Sequence, residues 1–330
     1  MKVQHRIELL QRLGEYLQLN HPDWQEAKKQ AEQQNSWFTE TFIDLAVQQI
    51  CEAFLQPGKL EAWATQYSPL EPEHTRNVGL VLAGNIPLVG FHDWLCVFMS
   101  GHQATIKLSS KDQVLFKHIL QKLYGWEVCV QNWVSLSERL KGCDAYIATG
   151  SNNSSRYFDF YFAKYPHIIR RNRTSVAILT GNESPEQLTA LAADIHQYFG
   201  LGCRNVTKIY VPEGYDFLPF IEACKSYRHF IDHHKYKSNF DYHLSILIMN
   251  NKYYMSSGSL VLVEAPAYFS PVGQLHYEYY TDRSAVLQQL NGNENIQCIV
   301  GEQVKFGAAQ YPSLSDYADG VDTMQFLTSL

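Results

Sequence analysis

Apolar positions along the chain recur first at helical and then at strand spacing. Ile7, Leu9, Leu10, Leu13, Tyr16 and Leu17 form one stripe, and Phe42, Leu45, Ala46, Ile50 and Phe54 form another, with Gln and Glu filling the positions between. A repeat of three to four residues puts apolar side chains on one helix face. Residues 1–66 are therefore predicted as a helical segment that packs on the domain after it. Residues 67–76, with Pro69 and Pro72, read as a connection. From there the pattern changes to short apolar runs. Val78–Phe91 is a strand that runs into a turn of Gly84, Asn85 and Pro87, followed by a helix through Trp94, Val97, Phe98 and Met99. Ala104–Leu108 is a second strand, and the hydroxyls and acid of Ser109-Ser110-Lys111-Asp112 are placed to cap a helix over Val114–Tyr124. A third strand-like segment covers Trp126–Val134, and Ala145–Asn152 is a strand ending in a glycine turn. Strands that alternate with helices predict an α/β fold around a doubly wound parallel sheet, with ligand sites at strand C-terminal ends.

The second half of the chain repeats the alternation. Ser175–Ser184 reads as a buried strand entering a turn, and Leu188, Leu191, Ala192, Ile195 and Tyr198 give a helix opened by Ser184-Pro185-Glu186. Val206–Val211 alternates as a strand does. A His-rich region follows, with His229, His233, His234 and His243, then a strand over Ser259–Glu264 and a loop-like run over 305–320. Adjacent His233 and His234 cannot point the same way from a helix, so no metal is predicted there, and a solvated or partner-facing loop is expected. These boundaries divide the chain into a helical segment at 1–66, an α/β ligand domain at 67–174, a second α/β domain at 175–304 and a C-terminal segment at 305–330.

Composition narrows the function classes. The chain has 330 residues, 45% hydrophobic and 18% charged, which is ordinary for a folded globular protein. A net charge of −6 leaves no footprint for nucleic acid. The basic cluster Arg170-Arg171-Asn172-Arg173 is either a phosphate contact or a solvated turn. The longest apolar run, Val78–Val89, contains glycines and a proline and is too short for a membrane span. Seven cysteines without paired spacing predict a reducing cytoplasm rather than a disulfide framework.

Chemistry concentrates at Cys203. It lies at a helix-to-strand junction between Gly200 and Gly202 on one side and Arg204 on the other. Glycines admit close approach of a ligand, and a neighbouring cation favours the thiolate, so Cys203 is a candidate nucleophile. A buried cysteine acting only as a small apolar side chain is the plain alternative. No G-x-G-x-x-G sequence stands in a strand-turn-helix setting, so a dinucleotide site needs other support.

These segments, in this order, resemble the aldehyde dehydrogenase superfamily over about residues 76–330, and within it the acyl-CoA reductase family typified by the reductase component of the bacterial luminescence fatty-acid reductase complex. Ala83-Gly84-Asn85-Ile86-Pro87 matches the family turn whose Asn binds the oxyanion. Lys107-Leu108-Ser109 matches a segment that holds the adenosine ribose, and Ala148-Thr149-Gly150-Ser151 matches a cofactor-contacting turn. Cys203 matches the nucleophile, 118 residues after Asn85. Two landmarks differ. Ile178-Leu179-Thr180-Gly181 stands where hydrolytic members carry a Glu that activates water, and Ala267 stands where a ribose-binding Glu would be.

The resemblance implies an aldehyde-dehydrogenase-like fold and an NAD(P)-linked enzyme with Cys203 and Asn85 as catalytic residues. Lys107, Ser109, Ser110, Lys111, Thr149, Gly150 and Ser151 would contact the cofactor. An acid after the Lys-x-Ser segment would repel a 2′-phosphate. Ser110 and Lys111 stand there instead, which favours NADPH. A missing water-activating base suits a CoA thioester as acyl donor, so the expected reaction is reduction of a fatty acyl-CoA to an aldehyde. An acyl-transferring enzyme is then the expected partner, and homo-oligomerisation stays open. The alternatives are a CoA-linked aldehyde dehydrogenase running oxidatively and a catalytically silent cofactor- or partner-binding scaffold.

Overall fold

Helix signals at the N-terminus are completed by local hydrogen bonds. The structure, a computed structural model, describes residues 1–19 and 21–330. Helices α1 (Val3–Gln18), α2 (Pro22–Gln34), α3 (Glu40–Ala53) and α4 (Pro57–Gln66) occupy the predicted segment. Proline stands in the first turn of α2 and α4, where its missing N–H costs nothing, and the Thr39 hydroxyl accepts from Phe42 N–H at the start of α3. Their apolar stripes share one core with the sheet: Leu10, Leu13, Ile43 and Trp63 are buried in the same cluster as Val78, Leu80 and Ile106.

The chain forms two compact units, one of residues 1–172 with 312–330 and one of residues 173–311. In the first unit β1 (Asn77–Val81), α5 (Phe91–Ser100), β2 (Gln103–Lys107), α6 (Val114–Trp126), β3 (Val134–Leu136), β4 (Ala145–Thr149), α7 (Asn152–Phe162) and β5 (His167–Arg170) build a parallel sheet in the order β3-β2-β1-β4-β5. Helices cover both faces. Val78, Leu80, Ile106 and Ile147 face the helical core, while Tyr146 on the other face stacks on Phe162 of α7 at 4.0 Å between ring centroids.

Three expectations for this unit are corrected. Ser109 and Ser110 do not cap α6, which starts after Gln113 with no side-chain cap, because Asp112 is drawn inward to a backbone N–H. Residues Val128–Asn132 form a 3₁₀ helix, and the strand is the shorter Val134–Leu136. The basic cluster is not a solvated turn as a whole. Arg170 closes β5 and is 2% exposed, with two nitrogens on the Asp93 carboxylate at 2.7 and 3.1 Å. Arg171 pairs with Asp159, and Arg173 donates to the Ile296 carbonyl.

The second unit carries β6 (Thr174–Ile178), α8 (Pro185–His196), β7 (Val206–Pro212), α9 (Leu218–Cys224), α10 (His234–Met249), β8 (Met255–Ser256), β9 (Val261–Glu264), β10 (Gln274–Tyr280), α11 (Arg283–Leu290) and β11 (Ile296–Val300). Its sheet runs β11-β6-β7-β10-β9-β8, parallel except for the antiparallel edge strand β8. Ser184 and Gln187 form a reciprocal capping box at α8, as the Ser-Pro-Glu start predicts. The His-rich region is helical rather than a loop. His229 lies in a 3₁₀ segment over Lys225–Asp232, and the His233 imidazole caps α10 by accepting from Tyr236 N–H.

After residue 311 the chain returns to the first unit. There α12 (Thr323–Thr328) lies in a segment whose buried groups meet residues of the N-terminal part: Trp63 donates to Tyr317 Oη at 2.9 Å, and His102 Nε2 meets the Leu327 carbonyl at 2.9 Å.

Candidate functional site

β2, β1 and β4 are parallel neighbours, so the turns leaving them emerge side by side on one edge of the first unit. Leu82 N–H donates to the Lys107 carbonyl at 3.1 Å, which extends the ladder into the first turn. Gly84 is needed here: a Cβ would sit 2.7 Å from both Cβ and Oγ of Ser109. Asn85 follows, half-buried. Lys107, Ser110 and Lys111 are exposed, and the Ser109 hydroxyl accepts from Lys111 N–H at 3.3 Å. On the β4 side, a Cβ on Gly150 would meet Phe158 and Ser154 at 2.9 Å, and Ser151 caps α7 by accepting from Ser154 N–H. Eight of the predicted residues, Asn85, Lys107, Ser109, Ser110, Lys111, Thr149, Gly150 and Ser151, thus share one edge. Two exposed ammonium groups, several hydroxyls and two glycines that let backbone approach closely fit a phosphate-bearing ligand.

Asp112 ends the β2 turn, at a position where the sequence predicts a helix cap. It is buried instead, and burial pushes its carboxyl up to about 7.

Cys203 belongs to the second unit, in the turn between α8 and β7, and is half-buried. The turn is reached through three consecutive left-handed residues, Tyr198 (φ 52°), Phe199 (φ 56°) and Gly200 (φ 75°). Bulky aromatics rarely adopt that region, and such strain persists only where the surroundings impose it. The surroundings are visible. Tyr198 and Phe199 are both buried, and Phe199 packs its ring on Phe230, His233 and Tyr236.

Two residues that the sequence reading passed over fix the Cys203 backbone. Asn205 is fully buried; its side-chain oxygen accepts from Gly202 N–H at 2.8 Å, and its amide donates to the Asp194 and Gln197 carbonyls at 2.9 Å each. It therefore joins the end of α8 to the turn. Ser175 Oγ donates to the Cys203 carbonyl at 3.1 Å and lies 3.1 Å from Cys298 Sγ, which leaves the Cys298 thiol as donor to Ser175. The only sequence signal for Asn205 is an Asn two residues beyond the candidate nucleophile. Asn205→Ala is expected to cost about 2 kcal/mol, because it strands buried backbone groups, and urea denaturation measures the loss.

Asp194 anchors the same helix end by accepting from Gly307 and Ala309 N–H at 2.7 and 3.1 Å. Burial pushes its carboxyl up to about 6. The folded chain then holds a proton that the unfolded chain releases near pH 4. Stability from this group is full below about pH 4 and is lost as pH rises through about 6. Asp194→Asn removes the titration, so its stability relative to wild type should improve by about 3 kcal/mol between pH 4 and pH 7 in thermal or urea unfolding.

The two positions where the resembled superfamily carries carboxylates are also defined. Leu179 is fully buried, and Glu183 is committed to the turn after β6: it accepts from Thr180 N–H (2.6 Å), Thr180 Oγ1 (2.8 Å) and Gly181 N–H (3.1 Å). The 266–268 loop is held by its carbonyls, with donors from Lys208 to Pro266, His276 to Ala267 and Thr207 to Tyr268 at 2.7–2.9 Å. Ala267 itself is exposed.

No protein-family profile matches the sequence, and no curated protein matches it either. Solved structures do match in fold. PutA of Anabaena variabilis, assigned to the aldehyde dehydrogenases, superposes with a TM-score of 0.68 at 14% identity, over 93% of this chain and 75% of that one. Aldehyde dehydrogenase 21 of Physcomitrella patens, solved with its reaction product succinate, gives 0.65 at 10% identity, over 98% and 79%. A Mycobacterium tuberculosis aldehyde dehydrogenase complexed with NAD+ gives 0.64 at 12% identity, over 89% and 72%. The chain has an aldehyde-dehydrogenase-like α/β fold, as the sequence resemblance implies.

Proposed function

We propose that this chain reduces a fatty acyl-CoA to an aldehyde with NADPH, through an acyl group carried on Cys203. The observation that carries the reading is the state of Glu183. This carboxylate, the nearest in sequence to the position where hydrolytic members carry the base, accepts from three donors of its own turn, which leaves it poorly suited to activate water. An acyl-enzyme that water does not discharge suits a thioester as acyl donor and a reduced nicotinamide as hydride donor.

In this reading the Cys203 thiolate attacks the acyl-CoA carbonyl, a C–S bond to Cys203 forms, and CoA leaves as its thiolate. The resemblance implies Asn85 and the Cys203 N–H as the oxyanion donors, one such donor being worth ~10²–10³ in rate. NADPH when bound supplies hydride to the acyl carbon. The C–S bond to Cys203 then breaks, which frees the aldehyde and returns the thiolate. Lys107, Ser109, Ser110 and Lys111 would hold the adenosine end, with the two cations facing its extra phosphate, and Thr149, Gly150 and Ser151 would line the cofactor beside them. An acyl-transferring enzyme is the proposed partner.

The named neighbours favour a second reading, oxidation of an aldehyde on the same thiol, with NAD+ bound in the Mycobacterium tuberculosis case. One experiment separates the two. Protein loaded with labelled long-chain acyl-CoA is chased with NADPH or with NADH. Label discharged as aldehyde, faster with NADPH, supports reduction. Label that neither cofactor discharges, together with aldehyde oxidation by NAD+, would move the assignment to the dehydrogenase. Among the described residues no helix is long and apolar enough to cross a membrane.

A further inference from the structure

A carboxyl group that the chemistry above does not use lies behind the Asn85 turn. Asp112 is 6% exposed. Its Oδ2 accepts from Leu88 N–H at 2.7 Å, while Oδ1 is buried with no hydrogen-bond partner. A buried acid held on one oxygen is costly to keep. Its partner is unusual too. Leu88 is buried at φ 54°, a region that costs a leucine of the order of 1–3 kcal/mol and must be imposed from outside.

The same acid lies close to the other end of the turn, leaving no room for a side chain there: a Cβ on Gly84 would lie 3.1 Å from Asp112 Cβ. Its own loop is rigid: Asp112 N–H donates to the Ser109 carbonyl at 3.1 Å, and Asn35 from the end of α2 holds the Lys111 carbonyl at 3.3 Å. Gly84 and Leu88 bracket Asn85, so one side chain meets the turn on both sides of it.

We propose that Asp112 is a positioning residue that clamps the Asn85 turn, through Leu88 N–H and the Gly84 contact, onto the rigid turn leaving β2. Without the clamp Leu88 relaxes toward an ordinary φ and Asn85 moves with it. The purpose given to the clamp, presetting Asn85, rests on the proposed function, whereas the clamp itself does not.

Hydrogen exchange at the Leu88 amide tests it in the full-length protein, beside the rate at which acyl-CoA labels Cys203 and the affinity for NADPH. Asp112→Leu should lose Leu88 protection and slow labelling ~10²-fold, the scale set by an ångström of misplacement, with NADPH affinity little changed. Asp112→Asn keeps a side-chain oxygen for Leu88 and should restore both. Unchanged exchange in Asp112→Leu overturns the clamp, and lost protection with undiminished labelling overturns its positioning role. If Asp112→Leu does not fold, Asp112→Ala removes the same acceptor with less bulk, and full Leu88 protection there overturns the clamp. Wild type that takes no label while exchange follows the expected pattern supports the clamp and retires the reductase reading.

Discussion

Cys203→Ala protein incubated with labelled acyl-CoA is expected to carry no hydroxylamine-sensitive label, and its aldehyde production should fall by at least ~10³-fold, the scale on which loss of a nucleophile is felt. The other thiols make this a clean measurement. Cys51, Cys96, Cys143, Cys224 and Cys298 are buried, and burial pushes Cys51 up to about 12 and Cys96 and Cys224 well above the usual thiol range. Cys129 is partly exposed, but burial and the Glu127 carboxylate beside it raise its thiol as well. These groups are poor thiolates and contribute little background. Undiminished label in Cys203→Ala would place the acyl group on another nucleophile and remove the basis for the proposed chemistry.

Arg170→Met is expected to destabilise the protein by about 3–5 kcal/mol in urea unfolding. The guanidinium side chain is 3% exposed and the Asp93 carboxylate 10%, so removing the cation leaves a buried charge without its counter-charge. Arg170 also donates to the Ala318 carbonyl at 2.5 Å and to Thr323 Oγ1 at 2.7 Å, which ties β5 to the returning C-terminal segment. The double variant Arg170→Met with Asp93→Leu should recover much of the loss, because a buried ion pair replaced by apolar side chains is often near neutral. A single-variant loss below about 1 kcal/mol would mean that Asp93 is solvated once the arginine is gone.

Elements that bury a continuous or periodic apolar set were legible from the residues. β1, β2, β4, β6 and β7 are apolar runs ending in glycine or serine turns, and α1, α3 and α8 carry stripes at helical spacing with side-chain caps at α3 and α8. β5 was hidden because an inward position of its alternation is Arg170, which reads as surface until Asp93 is known to face it. α10 was hidden by the charge of its opening His234-Lys-Tyr-Lys237. β10 (Gln274–Tyr280) offered aromatic residues in alternation that could have been used. At the site, cations, hydroxyls and glycines announce themselves by type and position. Asp112 and Asn205 do not, because their partners are backbone groups brought near only by the fold. A buried polar residue looks like a surface one until its donors and acceptors are located.

The order of the two units along the chain has a consequence during synthesis. Residues 173–311 are continuous, whereas the unit around β1 to β5 is split and needs residues 312–330. At ~5–20 residues per second, the ribosome spends on the order of ten seconds on the inserted stretch after β5 has emerged. Through that interval Trp63, His102 and Arg170 have been made but Tyr317, Leu327 and Thr323 have not. The continuous unit can therefore close first, and the edge carrying Lys107 and Lys111 belongs to a unit that is completed afterwards. A nascent chain stopped between residues 172 and 311 would hold its first sheet with those buried polar groups still open.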